Sequence, residues 1–303
     1  MQLEHGELIQ GDCLEIIPTL PDQSVDLVLC DPPYGVTPAS WDKPLPMEDY
    51  IQVGTKRMTE MEFYTYGVKH HLGGDELLHT WKANHRPGIW SHYDRILRPG
   101  DTVVIFGAGD FTSKLIVSAK NARWRDYRLV WDKCHSTGHL STGYRPMHRY
   151  EDICVFYKKK PTYNPQFTEG KPYSIRLKET YVNQCYDHYK PASYENRTHR
   201  HPSDIIQFIN RKKNSEHISQ KPLELARYLI RTYSNPGAVM LDHCCGSGTF
   251  LVAAQLEDRR FIGIEQSELF IETCQQRLAT ETESKPEVTA EEKPADNQIT
   301  LFA

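Results

Sequence analysis

Apolar positions in this chain come in short runs that break off at acids, prolines or glycines. Val25-Asp26-Leu27-Val28-Leu29-Cys30 is such a run, rich in β-branched residues, and it predicts a buried strand. It stops at Asp31-Pro32-Pro33-Tyr34-Gly35, where two prolines without N–H groups force the chain out of any ladder. Further strands are predicted over Glu7 to Asp12, Thr102 to Phe106, Tyr127 to Trp131, Asp152 to Tyr157, Ala238 to Asp242 and Phe261 to Glu265. Helical spacing predicts helices over Cys13 to Ile17, near Arg57 to Tyr66, over Trp90 to Leu97, Phe111 to Asn121, Leu223 to Ile230, Leu251 to Glu257 and Gln266 to Leu278. Pro18 stops the first of these and Pro99-Gly100 closes the third. Strands alternating with helices at these lengths imply an α/β fold around a mostly parallel sheet.

In such sheets ligands bind beyond the carboxyl ends of the strands, which is where the breaks fall. Asp31 and Tyr34 sit at one end. An exocyclic amine on a nucleobase is a poor nucleophile because its lone pair is delocalised into the ring. A carboxylate and a proline carbonyl accepting its N–H bonds favour the pyramidal nitrogen of a transfer transition state, and an aromatic ring stacks the base. Taken alone, the same residues also read as a strand followed by a tight turn. A second break, Asp242-His243-Cys244-Cys245-Gly246-Ser247-Gly248-Thr249, joins a strand to a helix through glycines that let a ligand approach the backbone. Glu265 ends the next strand 19 residues after Gly246, the spacing at which an acid holds a ribose hydroxyl in Rossmann-type sites.

Composition narrows the compartment more than the chemistry. Eight scattered cysteines without a Cys-x-x-Cys pair point to a reducing, intracellular, cytoplasmic setting and away from a zinc finger or disulfide framework. The 14 histidines show no ligand spacing, so no metal is expected. No apolar run is long enough to span a bilayer. The formal net charge of −4 resides in the tail from Glu281 onward, while the span from Phe156 to His217 is basic, with tyrosines interleaved. Basic charge tracks phosphates and aromatics stack on bases, so this span is the candidate nucleic-acid reader, although a solvated insertion has similar composition.

Asp31-Pro32-Pro33-Tyr34, Ser219-Gln220-Lys221-Pro222 and the stretch Asp242 to Thr249, in this order, resemble the S-adenosylmethionine-dependent DNA amino-methyltransferases of the β-arrangement. The resemblance covers residues 7–36, 90–158 and 217–278. It implies a Rossmann-like, mostly parallel seven-stranded sheet in circularly permuted order. The catalytic half is expected over 1–158, with an insertion at about 47–88, and the cofactor half over 217–279. A target-recognition region is expected at 159–216 and a disordered acidic tail at 280–303. The resemblance assigns Asp31, Pro32, Pro33 and Tyr34 to the target amine and base, and Asp12, Lys221, Asp242, Gly246, Ser247, Gly248 and Glu265 to S-adenosylmethionine. Asp12 also reads as a helix cap. The loop from Trp131 to Glu151 borders the target base in that family, which makes Lys133, Arg145 and Arg149 candidate DNA contacts beside Lys171, Arg176 and Lys178 of the basic span.

One departure stands out, since His243, Cys244 and Cys245 occupy positions where the family often has Pro and Phe. An acid at the first motif position is more typical of adenine N6 transfer, and Ser of cytosine N4. Adenine is therefore expected, with cytosine N4 and a non-catalytic DNA adaptor as alternatives. No Pro-Cys pair supplies the thiol used for ring-carbon methylation. The closing residues Gln298, Leu301 and Phe302, in Gln-Ile-Thr-Leu-Phe, resemble the peptides that dock on the bacterial sliding clamp.

Overall fold

The computed structural model describes residues 2–37, 42–53, 55–175, 194–209 and 220–283. Two strands, β1 (Gln2–Leu3) and β2 (Gly6–Gln10), lead into the short helix α1 (Cys13–Ile16), a 3-10 turn and then β3 (Val25–Cys30). Every β3 residue except Asp26 is buried, as a central strand covered on both faces requires. After the Pro-Pro corner come a hairpin, β4 (Tyr50–Val53) and β5 (Lys56–Thr59), and the helices α2 (Glu60–Lys69) and α3 (Gly74–Asn84). These four elements hold a small core of their own, Ile51, Phe63, Leu77 and Trp81. The helix expected from Arg57 starts at Glu60 instead. Thr59 caps it in a reciprocal pair with Glu62, and that cap consumes the residues before it as strand and N-cap.

The chain then forms α4 (Ile89–Ile96), β6 (Leu97–Gly107), α5 (Gly109–Asn121), β7 (Arg125–Thr137) and β8 (His148–Tyr157). Pro99-Gly100 does not close α4; the helix ends at Ile96 and both residues belong to β6. The stretch read as a loop between two strands is largely a long hairpin, since β7 continues to Thr137 and β8 begins at His148. Next come β9 (Thr168–Ile175) and β10 (Tyr194–Arg200), an antiparallel pair apart from the main sheet, and β11 (Ile205–Gln207), which joins it. The last elements are α6 (Leu223–Tyr233), β12 (Val239–Asp242), α7 (Thr249–Leu256), β13 (Arg260–Glu265) and α8 (Glu268–Glu283).

The main sheet runs β1-β2-β13-β12-β3-β6-β8-β7-β11. The block from β2 to β6 is parallel, and β8 is antiparallel to both β6 and β7. Removing the two short edges β1 and β11 leaves the seven strands expected, mostly parallel. Period-two alternation along β3 splits the core. Leu27 and Leu29 face α6, α7 and α8, whose Leu225, Leu229, Phe250, Leu251 and Ile271 cover them. Val28 and Cys30 face α1, α4 and α5, through Cys13, Trp90, Tyr93, Phe111 and Leu115. The register places Met240 beside Leu27, Asp242 beside Gly263, and Glu265 beside Gln10. Four neighbouring parallel strands therefore deliver Asp31, Asp242, Glu265 and Asp12 to one edge of the sheet. No helix among the described residues is long and apolar enough to cross a membrane.

Candidate active site

The corner after β3 is built around the Asp31 carboxylate. Pro32 is buried and fixes the exit of the chain. The Tyr34 hydroxyl donates to Asp31 Oδ1 at 2.5 Å, and the Lys221 ammonium donates to Oδ2 at 2.5 Å. Tyr34 also stacks on Phe111 with ring centroids 4.9 Å apart and planes 23° apart, so its orientation is set from two sides. Just beyond, the Asp42 carboxylate accepts from the Gly35, Val36 and Thr37 N–H groups at 2.7, 2.9 and 2.6 Å, tying the loop after the motif into a turn.

Lys221 is only 9 % exposed and sits over the Phe106 ring, 5.1 Å from its centroid. It reaches Glu151 Oε2 at 3.3 Å, and Lys133 binds the other Glu151 oxygen at 3.1 Å. The result is a half-buried chain of alternating charge, Asp31, Lys221, Glu151, Lys133. Burial alone would raise the Glu151 carboxyl, but Lys221 and Lys133 more than offset it and hold it below the usual 4.5. Burial alone would lower the Lys221 ammonium, and Asp31 with Glu151 holds it above the usual 10.5 instead. Burial, with Asp31 beside it, pushes the Tyr34 phenol well above 10. Each carboxylate oxygen of Asp31 keeps a second lone-pair site. The corner thus offers an oriented anionic acceptor next to an aromatic face.

One strand away, the glycine turn is held mainly through its backbone groups. Gly246 and Gly248 both have positive φ, +49° and +79°. A Cβ on Gly248 would lie 2.2 Å from Cys274 Sγ, whereas one on Gly246 would meet nothing within 4 Å. Gly248 is therefore a packing glycine, and Gly246 faces open space. Gly246 N–H donates to Glu265 Oε2 and Ser267 N–H to Oε1, both at 2.9 Å, which fixes the acid at the end of β13. Asp242 Oδ1 accepts from Cys244 N–H at 3.1 Å, and burial pushes its carboxyl up to about 7. Arg277 of α8 donates to the Ser247 carbonyl at 2.8 Å and to Thr249 Oγ1 at 3.0 Å. An open glycine face, a helix start and a fixed acid with free lone pairs fit a nucleoside cofactor.

The remaining expected residues make contacts of their own. Asp12 caps α1, accepting from Leu14 N–H at 2.9 Å, at the same sheet edge as Glu265. Lys221 reaches the Asp31 carboxylate rather than the glycine turn. Ser247 turns toward Arg277 Nη1, 3.3 Å from its hydroxyl. Lys133 is buried in the charge chain, which leaves it no free ammonium for a phosphate. Arg149 is exposed but pairs in two-pronged fashion with Asp132 at 2.6 and 2.8 Å, holding that carboxyl down at about 2. Arg145 and Lys171 are exposed. Arg176, Lys178, Ser219, Gln298, Leu301 and Phe302 lie outside the described residues.

Glu151, Asp42, Phe111 and Arg277 were not anticipated. The acid at 151 carried one visible signal, a charge placed directly against an apolar strand that began at Asp152.

A family model described as DNA methylase, covering the N6 and N4 enzymes, matches residues 25–276. Type II methyltransferase M.HpaI of Haemophilus parainfluenzae is 27% identical over 282 residues, covering 90% of this chain and 74% of its own. Among solved structures, the cytosine-N4-specific PvuII DNA methyltransferase aligns at TM-score 0.54 and 15% identity, over 93% of this chain and 92% of its own. An M1.HpyAVI–SAM complex aligns at TM-score 0.51 and 20% identity, over 90% and 98%. At those identities the structures show the shared fold, while the family match spans most of the sequence and includes both decisive turns. The chain belongs to the N6/N4 DNA methylase family, the S-adenosylmethionine-dependent DNA amino-methyltransferases.

Proposed function

We propose that this protein methylates the exocyclic N6 of adenine within a short DNA sequence. The observation that carries the reading is Asp31, an oriented carboxylate at the end of β3, one strand from the open glycine turn. The acid at this position, where cytosine N4 relatives more often carry Ser, supports adenine. When bound, S-adenosylmethionine supplies the electrophilic methyl group. Glu265 would hold its ribose, Asp242 and the Gly246 face its remainder, and Asp12 lies close enough along the sheet edge to border the adenine.

This chain's own residues do the rest. A target base leaves the duplex at a cost of a few kcal/mol and presents its amine to Asp31. Asp31 and the Pro32 carbonyl accept the two N–H bonds, which favours a pyramidal nitrogen with its lone pair free. Tyr34, braced by Phe111, gives the base a flat wall. Lys221 holds the Asp31 carboxylate in place through the contact to Oδ2. Residues 159–216 and the tip of the β7–β8 hairpin are the proposed DNA readers, with Arg145 and Lys171 as exposed cations. Gln298, Leu301 and Phe302 form a proposed sliding-clamp tether, which a pull-down with Leu301→Ala, Phe302→Ala losing the clamp would support and one retaining it would remove.

Nucleoside mass spectrometry on unmethylated DNA tests the main proposal. N6-methyladenine that disappears in Asp31→Ala is expected. N4-methylcytosine would overturn the base assignment, and no modified base would favour a DNA adaptor.

A further inference from the structure

The residues that depart from the family pattern, His243 and Cys244, come together with two distant cysteines. Cys13 is the first residue of α1, Cys30 the last of β3, and His243-Cys244 follow β12 directly. Cys13 is 4 % exposed, Cys30 0 % and His243 3 %. The ligand atoms of Cys13, His243 and Cys244 all lie within 4.8 Å of one another, the only such group of three among the described residues. Cys244 Sγ is 3.4 Å and Cys30 Sγ 3.6 Å from the same nitrogen, His243 Nδ1. The other ring nitrogen, Nε2, is held at 2.5 Å by the hydroxyl of the fully buried Tyr93.

From this geometry we infer a binding site for a thiophilic divalent cation of the zinc class, with Cys13, His243 and Cys244 as ligands and with Cys30, which stands outside that group of three but 3.6 Å from His243 Nδ1, moving in as the fourth. Distances favour it. With metal–sulfur bonds of about 2.3 Å and metal–nitrogen bonds of about 2.0–2.1 Å at tetrahedral angles, the sulfur–nitrogen edge is ~3.6 Å. The two sulfur–nitrogen separations already lie near that length. Tyr93 supplies the partner that ligating histidines need on their second nitrogen, and it leaves Nδ1 facing the sulfurs. Three sulfurs and an imidazole are the donors a soft, tetrahedral cation selects over magnesium or calcium. As each metal–sulfur bond forms, the thiol gives its proton to solvent and the imidazole stays neutral.

The role implied is positioning. Asp12 precedes Cys13, Asp31 follows Cys30 and Asp242 precedes His243. A cation there would lock together the three turns that carry the cofactor acids and the catalytic acid, on the side of the sheet away from α6 to α8. No zinc-finger spacing exists because the ligands come from three separate segments, which is why a search for local ligand spacing passes over the site.

Cobalt titration of the full chain, stripped with chelator and kept reduced, tests this without reference to methyl transfer. Saturation near one equivalent is expected, with thiolate-to-cobalt charge-transfer absorption and tetrahedral d–d bands that zinc abolishes. Cys13→Ser and Cys244→Ser should weaken binding at least tenfold, while Cys134→Ser, an exposed cysteine outside the cluster, should leave it unchanged. Absence of the charge-transfer band in folded wild-type protein, or binding undiminished in both serine variants, overturns the site. Should those variants fail to fold, cadmium-113 NMR of the wild-type chain reads the donor set. A three-sulfur, one-nitrogen resonance supports the assignment and an oxygen-dominated one refutes it.

Discussion

The two turns that meet at the carboxyl ends of β3 and β12 are neighbours in the sheet yet are held in opposite ways. At the Asp31 corner the backbone leaves the strand and side chains from distant segments converge on it. Asp31 is fixed by Tyr34 three residues on and by Lys221 from the other end of the chain, and Lys221 in turn by Glu151. At the glycine turn the backbone itself is the device, with positive φ at Gly246 and Gly248 and N–H groups fixing Glu265. A site that must hold a carboxylate ready for an amine needs charge around it. A site that must let a nucleoside lie against the chain needs side chains absent.

Removing the charge from the first corner should have the larger effect. Lys221→Met leaves Asp31 and Glu151 facing each other, half-buried, without the cation between them. Breaking a buried pair in this way costs about 3–5 kcal/mol, so the urea midpoint should fall markedly and methyl transfer with it. Adding Glu151→Gln should restore part of the stability but not the activity, since Asp31 still lacks its partner. A double variant no more stable than Lys221→Met would show that the charge chain is not coupled as the geometry indicates.

The glycine turn breaks differently at its two glycines. Gly248→Ala pushes a methyl onto Cys274 Sγ in a left-handed conformation, an overpacking loss of about 1–3 kcal/mol plus roughly 1 kcal/mol of backbone strain. Gly246→Ala meets no atom and pays only the backbone strain, roughly 1 kcal/mol. The second variant should therefore stay folded and lose S-adenosylmethionine affinity, measured by calorimetry. Equal thermal destabilisation of the two would mean that the open face at Gly246 is not where the ligand lies.

Acid should distinguish the corners without mutating the strand ends. The Glu151 carboxyl is held below its usual 4.5, so its contribution to stability is complete above that pH and is lost as pH falls through the lowered folded value. Denaturant unfolding of wild type and Glu151→Gln should differ most at neutral pH and converge below pH 4.5. A gap that stays constant on acidification would place the Glu151 contribution in packing rather than charge.

How much of this was legible follows the same division. β3, β12, β13, α4 and α6 were readable because their apolar periodicity is local, and so was the glycine turn, whose spacing to Glu265 is local too. The hairpin was missed for a physical reason. Leu129, Trp131 and Lys133 all point inward along β7, but a lysine in the third inward position reads as the end of a strand. It is tolerated there because Glu151, one residue before the apolar run of β8, lies across from Trp131 and takes its charge. Lys221 was assigned to the cofactor for the complementary reason. Its partners lie 190 and 70 positions away in sequence, and no local pattern announces a pairing at that range.

The mildest test concerns the tip of the hairpin, where neither charge chain nor glycine geometry acts. Arg145 is exposed, its guanidinium 5.8 Å from the Tyr144 ring centroid and 3.4 Å from Ser141 Oγ, and no carboxylate among the described residues holds it. Arg149, close by in sequence, is instead committed to Asp132. If the tip contacts DNA phosphates, Arg145→Ala should leave stability within about 0.5 kcal/mol of wild type. It should lower the slope of log affinity against log salt by about 1, because one fewer counterion is released. Arg149→Ala should lower the slope less, since its charge is already neutralised within the protein. An unchanged slope for Arg145→Ala would move the DNA path off the hairpin and onto the basic span that follows β8.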